Sequence, residues 1–273
     1  MGRIWQAAAS LWAWLVLVLV IVVWLPLMAL TWLVTAPFDP GRYAVGYLFR
    51  QLAVVMVALN PLWRFRHAGH AITDPRRPYV VVSNHESFVD ILLLSHLPWE
   101  MKWLSKVELF RLPLLGWEMR LANDIPVNRG NRRSAIEALQ QCRDRLEKKV
   151  SVMIFPEGTR SASGALLPFK DGAFRLAVDT GCPILPVALA GTRSALQKHS
   201  WRMGRSVAIA RVLAPIETTG LGVKDVPALR ERVRDVIAEA RIALHRELGL
   251  PLPEAAAEAV SAPGDALGEE SAT

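Results

Sequence analysis

Apolar positions are crowded at the front of this chain and then change rhythm. Between residues 4 and 38 no side chain carries a charge, and residues 11–34 form a run long enough to cross the hydrocarbon core of a bilayer as a helix. Trp5, Trp12, Trp14, Trp24 and Trp32 are spread along it, a pattern that suits aromatic anchoring at the lipid–water boundary. A cleaved signal peptide fits less well, because the run is too long and no clean small-x-small site follows it. Pro26 is a point at which such a helix can kink. A second apolar stretch, residues 43–63, is interrupted by Arg50. It reads either as an interfacial helix whose arginine snorkels to the headgroups or as a second membrane-entering helix paired with the first. Arg3 before the first run and Arg42 and Arg50 after it leave the orientation open.

From Trp63 onward the texture becomes globular. Residues 78–84 (PYVVVSN) predict a short buried strand entered from the turn-like DPRRP, and residues 88–97 have the length and apolar content of a helix. Residues 135–149 predict a charged amphipathic helix, followed by a strand at 151–156. A helix at 173–180 ends at Gly181, strands are predicted at 183–190 and 206–213, and a long amphipathic helix at 226–248 is entered through Pro227. Strands alternating with helices predict an α/β domain with a central mixed sheet flanked by helices, preceded by an N-terminal membrane helix or helical hairpin. The division expected is an anchor at 1–63, a catalytic domain at 64–250 and an acidic, disordered tail at 251–273.

Composition sharpens this picture in two places. The net charge is +7, yet Glu254, Glu258, Asp265, Glu269 and Glu270 all lie in the last twenty residues, so the body before them is more basic than the total suggests. A basic body beside a lipid anchor suits an anionic membrane surface, phosphorylated substrates or both; with no nucleic-acid module and no zinc spacing, nucleic acid is not expected as a partner. The two cysteines, Cys142 and Cys182, lie far apart without a metal-ligand pattern, which argues against a disulfide scaffold. Among the histidines, His67, His70, His96, His199 and His245 lack any motif and read as structural or surface residues.

Two constellations carry chemistry. In Asn84-His85-Glu86-Ser87-Phe88-Val89-Asp90 an imidazole and a carboxylate stand five positions apart, at a strand-to-helix junction. On one continuous helix they would diverge by about 140° of azimuth; with His85 in the turn and Asp90 in the helix they can meet. The carboxylate would then fix the ring tautomer and leave the other nitrogen to accept a proton. There is no G-x-S-x-G elbow. Ser87 could act as nucleophile, but a base can equally deprotonate a substrate hydroxyl that attacks an already activated thioester. Taken alone, the pair is equally compatible with a helix-start Asp and a buried, satisfied His. The second constellation is Phe155-Pro156-Glu157-Gly158-Thr159-Arg160-Ser161, at a strand end. Gly158 permits close backbone approach, Thr159 and Ser161 offer hydroxyls, and Arg160 can fork onto phosphate. Glu157 either binds a substrate hydroxyl or holds Arg160, and Lys170 and Arg175 follow; alone, the run could be an ordinary polar turn.

In this order, NHESFVD, FPEGTRS and CPILPVA resemble the signature blocks of glycerolipid acyltransferases of the 1-acyl-glycerol-3-phosphate acyltransferase type, over a stretch from about residue 63 to residue 248. The resemblance implies His85 as general base and Asp90 as its partner. Asn84, Ser87, Glu157, Gly158, Thr159, Arg160 and Lys170 become substrate-binding candidates, with Pro186 in a supporting block. A further block of the family reads Gly-x-x-Phe-Ile-x-Arg, whereas this chain has Asn123-Asp124-Ile125-Pro126-Val127-Asn128-Arg129. Arg129 is kept and stands as a phosphate contact; the altered glycine and phenylalanine keep another lysolipid, such as a lyso-ornithine lipid, open as acceptor. The implied partners are a lysophospholipid acceptor, acyl-CoA or acyl-carrier protein as co-substrate, and the membrane bilayer. No metal or resident cofactor is implied. Because both donors are cytosolic, the catalytic domain is expected on the cytoplasmic side of the cell membrane.

Overall fold

Strands that are apolar at every position need cover on both faces, and the sheet at the centre of this protein has it. The computed structural model describes residues 2–161, 164–196 and 200–253; the acidic tail from residue 254 and His199 lie outside the described residues. The elements run α1 (Arg3–Thr35), α2 (Tyr43–Ala58), β1 (Trp63–Gly69), β2 (Val80–Ser83), α3 (Asp90–Leu94), β3 (Met101–Lys106), α4 (Leu115–Leu121), β4 (Ile125–Val127), α5 (Arg132–Glu147), β5 (Ser151–Ile154), α6 (Gly172–Thr180), β6 (Ile184–Ala190), β7 (Ser206–Val212) and α7 (Val226–Glu247). The seven strands are ordered β1-β7-β6-β2-β5-β3-β4. Five run parallel from β6 to β4; β7 is antiparallel to β6, and β1 pairs parallel with β7.

Period-two alternation decides which side chain faces which layer. Val80 and Val82, Val152 and Ile154, and Ile184 and Ala188 enter a core shared with α5, α6 and α7. Val81, Met153, Leu185 and Val187 point the other way, into a core with Leu93, Leu94, Trp99 and Trp103. Gly181 caps α6 in the left-handed region at φ 65°, as expected of a helix-ending glycine, and Pro227 enters α7 in its first turn.

Several boundaries differ from those the sequence predicts. The helix expected at 88–97 is only Asp90–Leu94. Strands β1, β3 and β4 and helix α4 are additional elements. The first helix is longer than the apolar run, because uncharged residues 4–10 extend it; at 33 residues it is about 50 Å long and apolar enough to cross a membrane. It continues through Pro26. Ala9, Ala13, Val16, Val20 and Met28 form its buried stripe, while Leu11, Leu15, Val18, Leu19, Val22, Val23, Leu30 and Leu33 are exposed. Three of its indoles donate to protein carbonyls, Trp12 to Leu59, Trp14 to Trp201 and Trp24 to Leu48.

Arg50 corrects the reading of the second apolar stretch. It does not snorkel: α2 packs on the domain and Arg50 is buried, with Nη2 2.6 Å from Asp124 Oδ1 and Nε 3.4 Å from Glu100 Oε2. Lys102 completes the cluster, its Nζ 2.8 Å from Glu100 Oε1 and donating to the Arg42 carbonyl at 2.8 Å. Close passage of α2 over this cluster needs Gly46, where an added Cβ would lie 2.0 Å from Glu100 Oε1.

Where α4 meets α1 and α2, Glu118 is fully buried and neither carboxyl oxygen has a hydrogen-bond partner among the described residues. Burial alone raises its pKa to about 8. The folded state therefore keeps a proton that the unfolded chain has released, so stability is full below the ordinary carboxylate pKa and falls as pH rises through about 8. Glu118→Gln is expected to remove this slope, leaving wild type and variant similar near pH 5 and the variant more stable by on the order of a few kcal/mol above pH 8. Thermal unfolding in detergent at the two pH values checks it; parallel profiles would contradict it.

Candidate active site

The C-terminal ends of parallel strands share one edge, and at this edge the chain leaves β2, β4, β5 and β6 as turns that carry polar residues. The turn after β2 holds His85. Its Nδ1 lies 2.8 Å from Asp90 Oδ2, and the same oxygen accepts the amides of Glu86 (2.7 Å) and Ser87 (2.9 Å). Asp90 thus closes the turn in which His85 sits and grips its ring at once, which is how two residues five apart come to meet. With Nδ1–H donated to the carboxylate, Nε2 is the ring's remaining acceptor. The imidazole stacks on Phe155, with centroids 3.9 Å apart and planes 15° apart. Phe155 in turn touches Trp103, over which Arg50 lies.

The turn after β5 is tied to the first by Glu157. One carboxylate oxygen accepts the His85 amide at 2.7 Å and the other accepts the Leu167 amide at 3.0 Å. Glu157 therefore holds two loops together and does not grip Arg160. Burial pushes its pKa up to about 7, against the pull of those two amides and of Arg241. A further bond, Ser161 N to His85 O at 3.1 Å, joins the same two turns. Gly158 adopts φ 70° and lies beneath Lys170, whose Nζ would be 2.7 Å from an added Cβ; a side chain here would strain the backbone and push the lysine aside.

Asn84 and Ser87 each make hydrogen bonds within the protein. The Asn84 amide is spent on β6, donating to Leu189 O at 3.0 Å and accepting from Leu189 N at 2.9 Å, so it docks the turn onto the sheet. Ser87 Oγ accepts the Val89 amide at 3.3 Å inside the turn. Thr159, Arg160 and Lys170 are exposed at the rim. Arg129 follows β4 on the same edge, and partial desolvation followed by the neighbouring Arg160 guanidinium lowers its pKa. Glu108 pulls the other way, but among the described residues no carboxylate is ion-paired to either guanidinium, so both can fork onto an anion.

Asn123 explains how the altered block keeps its shape. It sits at φ 64°, a left-handed conformation that asparagine tolerates better than most residues and that glycine adopts freely. Its Oδ1 accepts from Arg145 at 2.8 Å, and Pro126 sits in the edge strand β4, where no ladder donor is needed.

Two residues with a role at this site carry no sequence motif. Thr192, fully buried just after β6, donates its hydroxyl to Asp90 Oδ1, so both carboxylate oxygens are engaged. Arg241 on α7 reaches Glu86. Only the second had a signal: it occupies the apolar stripe Leu229, Val233, Ile237, Leu244, where a charge is out of place. Among the described residues no cluster of His, Cys, Asp and Glu fits a metal ion.

Residues 64–190 match the family model described as Acyltransferase. The chain is 38% identical over 175 residues to a 1-acyl-sn-glycerol-3-phosphate acyltransferase of Chlamydomonas reinhardtii, covering 62% of this chain and 52% of that protein. It is 40% identical over 162 residues to 1-acyl-sn-glycerol-3-phosphate acyltransferase alpha of Homo sapiens, covering 59% and 57%. The aligned part thus spans about half the length of the curated relatives it matches. The crystal structure of the 1-acyl-sn-glycerophosphate acyltransferase of Thermotoga maritima superposes with a TM-score of 0.74 at 24% identity, covering 89% of this chain and 98% of that one. That match shows a common fold.

Proposed function

We propose that this chain, whose residues 64–190 match the acyltransferase family model, transfers a fatty acyl group from acyl-CoA or acyl-carrier protein to the free hydroxyl of 1-acyl-glycerol-3-phosphate, making phosphatidic acid. The observation that carries this reading is the His85–Asp90 contact of 2.8 Å on the sheet edge that also bears Arg129 and Arg160. Asp90 holds the Nδ1–H tautomer, and Nε2 takes the proton of the acceptor hydroxyl as its oxygen attacks the thioester carbonyl. The C–S bond breaks, and the departing thiolate takes the proton back from the imidazolium. An ester and a free thiol result, with no acyl-enzyme. Ser87, whose hydroxyl is engaged within its own turn, is left out of the chemistry.

Arg129 and Arg160 would receive the acceptor phosphate, and Lys170 the rim of the same site. The exposed apolar face of α1 would lie in the bilayer, bringing the active-site edge to a lipid substrate at the cytoplasmic side of the cell membrane, where both donors occur. Arg129→Ala and Arg160→Ala are each expected to raise KM for lysophosphatidate about tenfold, with much smaller effects on a phosphate-free acceptor. Equal effects on both acceptors would remove the phosphate contact.

The test is a panel of lysolipid acceptors, including lysophosphatidate, lysophospholipids with headgroups and lyso-ornithine lipid, each offered with oleoyl-CoA and with acyl-carrier protein. Lysophosphatidate-dependent thiol release with phosphatidate formed is expected. A phosphate-free acceptor winning the competition, or thiol release that ignores every acceptor, would displace the reading.

A further inference from the structure

A buried cation on a core-facing helix stripe needs a compensating anion, and Arg241 has found one inside the catalytic turn. Its side chain is 3% exposed and its Nη2 lies 2.7 Å from Glu86 Oε1, in a helix that lies outside the family-matched segment 64–190. The same nitrogen donates to the Gly164 carbonyl at 2.8 Å. Glu86 stands between His85 and Ser87, and its own amide is held by Asp90. Gly164 belongs to the loop that begins with Glu157, closed by Gly164 N on Ser161 Oγ at 3.0 Å.

We propose that Arg241 is a positioning residue of this active site, one guanidinium spanning the His85 turn and the 157–167 loop so that base and acceptor-binding arginine keep their spacing. The inference rests on the acyl-transfer reading given above. Three carboxylates converge here, Glu86, Asp90 and Glu157, and the charge of Arg241 bears on two of them. Burial pushes Glu86 up to about 7 in spite of it, so without that cation the turn would hold an acid with no partner on its side chain. Lysine would keep the charge and has donors enough for both acceptors, but its stem is shorter and its ammonium tetrahedral, so it reaches the point held by Arg241 Nη2 less well. Arg241 Nε itself is buried without a hydrogen-bond partner among the described residues, which fits a side chain whose placement serves its far end.

A plain structural staple would give a different set of results. Arg241→Gln is expected to lower kcat at least tenfold and to speed hydrogen exchange at the Ser161 and Leu167 amides, with Arg241→Lys in between. In Glu86→Gln/Arg241→Gln the charges are balanced and stability should return, because removing both partners of a buried pair costs far less than removing one. The span to Gly164 stays lost, so kcat should stay at least tenfold down. Recovery of wild-type kcat together with stability would overturn the proposal, as would Arg241→Gln with unchanged kcat and exchange. Should Arg241→Gln fail to fold, the double variant decides alone. If wild-type protein itself does not acylate lysophosphatidate, the acyl-transfer reading fails, while amide exchange still reports whether Arg241 joins the two loops.

Discussion

Replacing His85 by alanine is expected to lower kcat for acyl transfer to lysophosphatidate by about a thousandfold, with the protein still folded. General-base assistance is worth roughly a hundred- to ten-thousandfold, and among the described residues no other histidine is held by a carboxylate. The ring makes one side-chain hydrogen bond and one stacking contact, while the turn is held by its backbone bonds to Glu157, Ser161 and Asp90. Chemistry and folding are therefore separable at this position. Asp90→Asn would not be as clean, since it also weakens the acceptor of two turn amides and the partner of Thr192. Initial rates of thiol release, with circular dichroism to confirm the fold, check the alanine variant. Retention of more than a tenth of wild-type kcat would exclude His85 as base.

The second large effect is on stability. Arg50→Met is expected to cost about 3–5 kcal/mol, because it strands buried anions. Asp124 would keep only the Trp103 amide at 3.0 Å, and Glu100 would be left to Lys102. Adding Asp124→Asn should return part of the loss. The cluster sits at the seam between α2 and β3, and Arg50 also lies over Trp103 on the path to Phe155 and His85. Denaturant or thermal unfolding in detergent reads the effect, and a loss below about 1 kcal/mol would mean that the charges are solvated in the folded protein.

Both effects bear on how much of this molecule its sequence discloses. Strands β2, β5 and β6 are legible because all their residues but Ser83 and Ser151 are apolar and the runs are bounded by turns, and α5 and α7 because their apolar stripes repeat at helical spacing. The active-site turn is legible too, since His85 and Asp90 can meet only if the helix begins after the histidine, and it does begin at Asp90. The sequence conceals elements whose burial is polar. Strand β3 contains Lys102, fully buried beside Glu100, so it lacks an apolar signature; β1 has only its first residue fully buried; β4 is three residues long and contains Pro126. Arg50 misleads for the same reason: its partners are 50 and 74 positions away, and an arginine in an apolar run looks the same whether it meets headgroups or carboxylates. Arg241 lies 155 positions from Glu86, and only its place in a core stripe betrays it.

Direct attack by a substrate hydroxyl, with the protein never acylated, is the central claim. A rapid-quench single turnover with labelled oleoyl-CoA and excess protein tests it most directly. With lysophosphatidate present, label should pass from thioester to phosphatidate one for one with thiol released, and none should appear on protein; without acceptor, the thioester should persist. Label that accumulates on the protein before reaching lipid, or thioester consumed at the same rate without acceptor, would contradict it.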